Sequence, residues 1–287
     1  MNYRWLYFIA CIVVISSCRY GYKEEHPYDL AIVNYGLLDS IPSASAIAIV
    51  KDSAYVIGDD AGNIYKVSLE TWNYRKIPIP GARIDVRRIP KDTKHDYEAA
   101  AIGTINENVY LLAFGSGTLA PYRDSVLFFN INNETEIKKT SLTSFYAAIL
   151  QKGKIDKKDL NIEGATIAGN FLYLFNRANG LIFQVNWPGF FEYINDSAGK
   201  TVPELYTHKI ELPKDNEVQA GFSGASTLDK NKIVFTASLE DTKNWVDDGE
   251  IKGSYIGILD IVSPQELRLY AGVTVKDSAK SIGIEQS

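Results

Sequence analysis

Glu98-Ala-Ala-Ala-Ile102 and Glu163-Gly-Ala-Thr-Ile167 are two copies of the motif that decides the fold of this chain. Each copy begins with a polar, charged or glycine residue, continues with small residues, and ends on an apolar residue that opens a strand-like run. Further copies are Ser43-Ala-Ser-Ala-Ile47 and Gly224-Ala-Ser-Thr-Leu228, with an incomplete one at Ile282-Gly-Ile284. The motif starts are 55 to 65 residues apart. This period is typical of one four-stranded β-propeller blade with a long hairpin.

The runs between the motifs are rich in β-branched and aromatic residues, and the longest helix-like stretch is Leu142–Leu150, so we predict an all-β fold. Four blades fit between Ser43 and Val273, but only five residues follow Ile282, whereas a blade needs about forty to fifty. We therefore predict a β-propeller with a five-bladed plan and an incomplete last blade. A six-bladed propeller is the alternative. We expect the strand-like segment Asp29–Leu38 to supply an outer strand that closes the ring.

A short apolar stretch near the start of the chain is followed by a cysteine. Arg4 precedes this stretch, Trp5–Ile15, and small residues lead to Cys18. This pattern resembles the signal sequence of bacterial lipoproteins. The apolar stretch is too short to remain as a membrane span. The pattern predicts a signal peptide at residues 1–17, lipidation of Cys18, a tether at residues 18–29 and a propeller domain at residues 30–287. An ordinary secretory signal with an incidental Cys18 is the alternative.

Lipidation predicts a location and a partner. The protein would lie in the cell envelope and contact the membrane through its lipid anchor. Arg19, rather than Asp, follows Cys18, which favours the outer membrane by analogy with other lipoproteins. The chain has 35 acidic and 30 basic residues and no basic tract with interleaved aromatics, so we do not expect a nucleic-acid partner.

Charged residues are predicted to gather at one mouth of the central channel. The motif lies where blades converge, so its small residues let the backbones approach and its first residue faces the mouth. Second strands should end at the same mouth, 13 to 17 residues after their motif starts. The predicted ligand-binding residues are Glu98, Glu163, Arg177, Asp59, Asp60 and Lys94.

Four carboxylates at this mouth offer the hard oxygen ligands that Ca²⁺ prefers. The candidate metal ligands are Glu98, Glu163, Glu240 and Asp241. Calcium is the one cofactor that the sequence suggests. The alternative is that Glu98 and Glu163 only lock neighbouring blades together, with Arg177 in a structural ion pair.

Several stretches together resemble an uncharacterised bacterial β-propeller lipoprotein family that is distantly similar to phytase-like and esterase-like propellers. They are Lys94-His-Asp-Tyr-Glu98, Asn161-Ile-Glu163-Gly-Ala, Phe175-Asn-Arg177-Ala-Asn179 and Glu240–Asn244 with Asp247-Asp248-Gly249. The resemblance covers about residues 40 to 285 and implies a fold and a site at the mouth, but no reaction.

Two classes of function follow from these observations. The first is a lipid-anchored propeller that binds a small molecule, a glycan or a protein at its channel mouth. The second is a calcium-dependent hydrolase of the phytase-like or lactonase-like kind, in which Ca²⁺ polarises substrate and water.

Overall fold

The computed structural model describes residues 35–196, 201–215, 218–241 and 249–275. Within those ranges, none of the helices combines the length and the apolar character that a membrane crossing requires. The predictions for the signal peptide, Cys18 and the motif at Ile282 fall outside the described residues.

Four antiparallel sheets form the blades of a β-propeller. Blade one contains β1 (Ala44–Val50), β2 (Ser53–Gly58), β3 (Asn63–Ser68) and β4 (Tyr74–Pro78). Blade two contains β5 (Tyr97–Ile105), β6 (Asn108–Gly115), β7 (Ser125–Asn130) and β8 (Ile137–Ser141). Blade three contains β9 (Ile162–Ala168), β10 (Phe171–Asn176), β11 (Leu181–Asn186) and β12 (Leu205–Lys209). Blade four contains β13 (Lys214–Asp215), β14 (Val218–Asp229), β15 (Lys232–Asp241), β16 (Glu250–Ser263) and β17 (Glu266–Val275).

The all-β propeller is confirmed, but the predicted blade count is wrong. The part of the chain that the structure describes forms four blades, rather than five or six. The prediction counted one blade for each motif. A blade also needs the paired strands that follow its motif, and in the described residues four motifs are followed by such strands. The described part of the expected outer strand, residues 35–38, is irregular. Leu38 instead packs against the buried residues of blade one, as Trp72 also does.

The motif's small residues lie where neighbouring blades approach most closely, as predicted. A Cβ atom on Gly164 would lie 3.1 Å from the carbonyl carbon of Gly224 and 3.1 Å from Cβ of Phe175. Such contacts are tighter than normal Cβ packing, so a larger residue would push blades three and four apart.

Two α-helices interrupt the β pattern of the described residues. The first, α1 (Thr143–Gly153), covers the best helix-like stretch of the sequence, while α2 (Trp187–Asn195) was not predicted. The side-chain carbonyl oxygen of Asn186 caps α2 by accepting a hydrogen bond of 3.0 Å from the amide of Gly189. The aromatic residues of α2 resemble a strand in composition, but Phe190 packs against Phe145 of α1 in the core between blades two and three.

Candidate functional site

The four inner strands β1, β5, β9 and β14 surround the central channel. Three consecutive residues of each strand line a cavity of about 190 Å³. These are residues 47–49, 100–102, 165–167 and 225–227. Glu98 and Glu163 lie two residues before the lining segments of β5 and β9. The structure therefore brings the two motif carboxylates to one end of the channel, which we call the mouth.

Lys94 joins two carboxylates at the mouth. Its ammonium nitrogen lies 2.6 Å from Oδ1 of Asp96 and also contacts Oδ2 of Asp59. All three side chains are largely buried. Burial raises the pKa of Asp59, although Lys94 opposes the shift. Lys94 is thus the counterion of a buried acidic pair.

Asp96 is the centre of a buried network that the sequence analysis missed. Its Oδ2 atom accepts a hydrogen bond of 2.5 Å from the hydroxyl of Ser116 and one of 2.9 Å from Nη1 of Arg123. Its backbone φ of 56° places it in the left-handed region, which Asp tolerates better than most residues. Asp96 lies within the quoted stretch Lys94–Glu98, but no sequence period links that stretch to Arg123.

Arg177 connects blade three to blade four. Its Nη1 atom lies 2.7 Å from Oε1 of Glu163, and its Nη2 atom contacts Oε2 of Glu240. The amide group of Asn161 donates a further hydrogen bond of 2.8 Å to the same Glu163 oxygen. Burial raises the pKa of Glu163, against the lowering effects of Arg177 and Asn161. The structure therefore contains the structural ion pair of Arg177 that the sequence analysis gave as the alternative.

Asp60 is the remaining predicted ligand-binding residue. Its carboxylate is buried, and its Oδ2 atom accepts a hydrogen bond of 2.5 Å from Nε of Arg88. Both aspartates of the Asp59-Asp60 pair therefore face a cation.

Glu98 differs from the other mouth carboxylates. In the described part of the chain it has neither a hydrogen bond nor an ion pair. Its side chain is surrounded by protein but keeps partial exposure. Burial raises the pKa of Glu98 well above its usual range, and the charges of Glu163, Asp96 and Asp59 add to the shift, while Lys94 opposes it. Any positive charge that reached Glu98 would relieve this repulsion.

The predicted metal ligands do not meet as one group among the described residues. Arg177 joins Glu163 to Glu240, and Asp241 is exposed, 3.9 Å from the ammonium of Lys252. A different set, Asp59, Asp96 and Glu98, presents carboxylate oxygens within 4.8 Å of one another. These oxygens suit Ca²⁺. However, the ammonium of Lys94 already lies between Asp59 and Asp96, so the set fits a calcium ion only if Lys94 moves away.

Several larger solved structures are similar to this chain. They include hydrazine synthase of Kuenenia stuttgartiensis, at 13% identity and a TM-score of 0.42, covering 86% of this chain and 53% of that one. AztD from Citrobacter koseri matches at 12% identity and a TM-score of 0.36, with 84% and 52% covered. The WD40 repeats of RRP9 match at 10% identity and a TM-score of 0.41, with 80% and 51% covered. The chain spans about half the length of these structures.

The search of functionally curated proteins finds no match. The similarity to phytase-like and esterase-like propellers stays a prediction, because none of these comparisons tests it. Residues 40–286 match the model of a protein family described as a family of unknown function, DUF6929. The chain therefore belongs to that family of unknown function.

Proposed function

We propose that this protein is a binding propeller whose channel mouth takes a small ligand through a positively charged group. The observation that supports the proposal is Glu98, a carboxylate enclosed at the mouth, partly exposed, and without a hydrogen bond or ion pair among the described residues. Enclosed carboxylates are normally paired, because an uncompensated buried charge is costly. A ligand cation would supply the missing partner.

The charges around Glu98 favour a cation over an anion. Among the described residues, the network at the mouth contains six carboxylates and four basic side chains: Asp59, Asp60, Asp96, Glu98, Glu163 and Glu240, and Arg88, Lys94, Arg123 and Arg177. Each of the four basic groups already contacts a carboxylate. An anionic ligand would have to break one of these ion pairs, whereas a cation would meet the unpaired carboxylate of Glu98, on which three acidic neighbours and one cation, Lys94, act.

The channel restricts the size of the ligand. Its cavity of about 190 Å³ is smaller than the roughly 300 to 1,000 Å³ of typical drug-sized ligand sites. It accepts a few atoms or one end of a longer molecule. A short aliphatic amine, or the amine end of a larger molecule, is small enough for this cavity and carries the positive charge that Glu98 would pair with.

Thermal unfolding of the full chain with 1,4-diaminobutane tests the proposal, with 1,4-butanediol as the uncharged control of equal length. We expect the diamine, but not the diol, to raise the melting temperature of the wild type and to leave that of Glu98→Gln unchanged. The isosteric Gln keeps the shape of the site but removes its charge. Equal shifts in wild type and Glu98→Gln, or no shift in either, would overturn the proposal.

The calcium-dependent hydrolase is the second candidate, and the proximity of Asp59, Asp96 and Glu98 favours it. In that case these three residues would hold the ion, and bound Ca²⁺ would supply Lewis-acid activation of substrate and water. The candidate requires the Lys94 ammonium to leave its two carboxylates. It predicts that Ca²⁺ stabilises the wild type, that a chelator reverses the effect, and that phosphate-ester or lactone hydrolysis follows the same metal dependence.

We also propose that the propeller is attached to the cell envelope, at the outer membrane, through lipid on Cys18. The support is the amino-terminal sequence pattern: the apolar stretch, the small residues before Cys18 and the polar tether up to residue 29. An anchor of this kind would hold the propeller near a membrane surface.

A further inference from the structure

The face of the propeller around the mouth carries exposed apolar side chains. The second strands end on this face, because Gly58 pairs with Ala44 and Gly115 pairs with Tyr97 at the starts of their inner strands. The turn after β2, the loop after β6 and the start of β16 therefore lie here. The exposed apolar residues of this face are Ile84, Leu119, Tyr122 and Ile251, at 58%, 46%, 43% and 38%.

Three blades contribute to this set of four residues, which we call the apolar rim. Ile84 lies against the β2–β3 turn of blade one. Leu119 and Tyr122 belong to the β6–β7 loop of blade two. Ile251 of blade four pairs with Glu240, which is part of the charged network at the mouth. Second and third strands lie about 5 to 10 Å from the inner strand of their blade, so the rim borders the mouth at about that distance.

The opposite face differs in the part of the chain that the structure describes. Its turns join β1 to β2, β5 to β6, β9 to β10 and β14 to β15, and they consist of lysine, aspartate, asparagine, glutamate and glycine residues. An exposed apolar patch on one face of a protein marks an interaction surface. The difference between the two faces therefore indicates that the mouth is the face that contacts a partner.

We infer that the mouth face docks a protein partner, which inserts one lysine side chain towards Glu98 and packs apolar residues on the rim. The inference rests on the proposed function, because it identifies the bound amine as the end of a lysine side chain. The cavity of about 190 Å³ admits one unbranched side chain rather than a folded element, and the lysine stem is an unbranched chain of four methylene groups. A free diamine would leave the rim uncovered, whereas a lysine-bearing segment covers the mouth and the rim together.

The arrangement has the features of a protein interface, in which a central anchor is surrounded by side chains that exclude water. Exclusion of water by the rim would strengthen the attraction between the lysine and Glu98, because charge–charge energies grow as the local dielectric falls. An extended segment of about six residues is about 20 Å long, which is comparable to a mouth with the rim on both sides. An anionic lipid surface would be repelled by the Glu98 carboxylate, so the charge favours a protein over a membrane.

Selection from a random heptapeptide library displayed on phage, with the full chain immobilised, tests the inference. We expect the enriched peptides to contain a lysine flanked by apolar residues. The rim variant is Leu119→Ser with Tyr122→Ser. Its matched control is Val262→Ser with Tyr270→Ser, whose side chains are 48% and 40% exposed in the half of blade four away from the mouth. Synthetic copies of the enriched peptides should bind the rim variant about tenfold more weakly than the wild type, bind the control within about twofold, and lose binding to Glu98→Gln.

Several results would overturn the inference: no enriched peptide, enriched peptides without a lysine, or equal weakening by the rim variant and its control. Binding to vesicles of phosphatidylcholine and phosphatidylglycerol in equal amounts, if the rim variant loses it, would overturn the protein partner in favour of a membrane. The proposed function keeps its own measurement, the melting shift with 1,4-diaminobutane, which the rim variant should retain. A diamine shift without lysine peptides overturns the protein partner alone. Peptides that bind through the rim but tolerate Glu98→Gln, together with no diamine shift, would reject the proposed function and the lysine at Glu98, and would leave the rim as a docking surface.

Discussion

Replacing Lys94 with Ala should destabilise the propeller by about 3 kcal/mol at neutral pH. The side chains of Lys94, Asp59 and Asp96 are only 13%, 14% and 5% exposed. Removing one partner of a buried ion pair typically costs about 3 to 5 kcal/mol, because the other charge stays buried and unpaired. Two features place Lys94→Ala at the low end of that range. Arg123 still compensates Asp96, and Asp59, whose pKa burial already raises, can take up a proton.

Lys66→Ala is the matched control, because Lys66 contacts Glu134 at 3.1 Å with both side chains 29% exposed. Exposed pairs contribute about 0 to 1 kcal/mol, and Glu134 keeps its contact with Arg75. Urea unfolding at pH 7, with and without CaCl₂, measures both variants. Ca²⁺ should restore part of the stability of Lys94→Ala by entering the vacated position, and should not affect Lys66→Ala. Losses for the two variants that agree within about 1 kcal/mol would refute the reasoning.

Three further predictions concern separate parts of the molecule. Because the pKa of Glu98 is higher in the folded than in the unfolded protein, Glu98 should lower wild-type stability as pH rises from about 4.5 towards the folded pKa; Glu98→Gln removes this contribution and should gain stability relative to wild type between pH 5 and pH 8, and a difference in urea midpoint between the two proteins that is the same at both pH values would contradict it. Gly164→Val should lower the free energy of unfolding by about 1 to 3 kcal/mol, because the larger side chain overpacks blades three and four. Thr104→Val, at an exposed position of β5, should change it by no more than about 0.5 kcal/mol. Similar melting temperatures for the two variants would contradict the steric role of Gly164. Labelled fatty acid should enter the wild type but not Cys18→Ala, and equal labelling would exclude lipidation at Cys18.

The inner strands of the blades could be predicted from the sequence, because the small residues that let them approach are local in sequence and recur in each repeat. Close approach of inner strands demands small residues, and the motif supplies them at fixed intervals, so the channel-lining strands followed from spacing alone. The ion-pair partners did not follow. Arg123 reaches Asp96 from a hairpin loop 27 positions later, and no period marks that distance. The helix α2 was missed because its aromatic residues have strand-like composition, and its burial between blades two and three decides its conformation.

The repeat also explains why Glu163 has an ion-pair partner while Glu98 has none in the part of the chain that the structure describes. Asn176 pairs with Ile162 at the start of β9, and Gly115 pairs with Tyr97 at the start of β5. The next residues, Arg177 and Ser116, therefore occupy equivalent positions in blades three and two. Arg177 neutralises the motif carboxylate of its own blade. Ser116 is too short and uncharged, and its hydroxyl hydrogen-bonds Asp96 instead. Arg177 in blade three and Ser116 in blade two thus differ at one position of the repeat. This one difference gives Glu163 an ion pair and leaves Glu98 without the equivalent one, at the mouth of the channel.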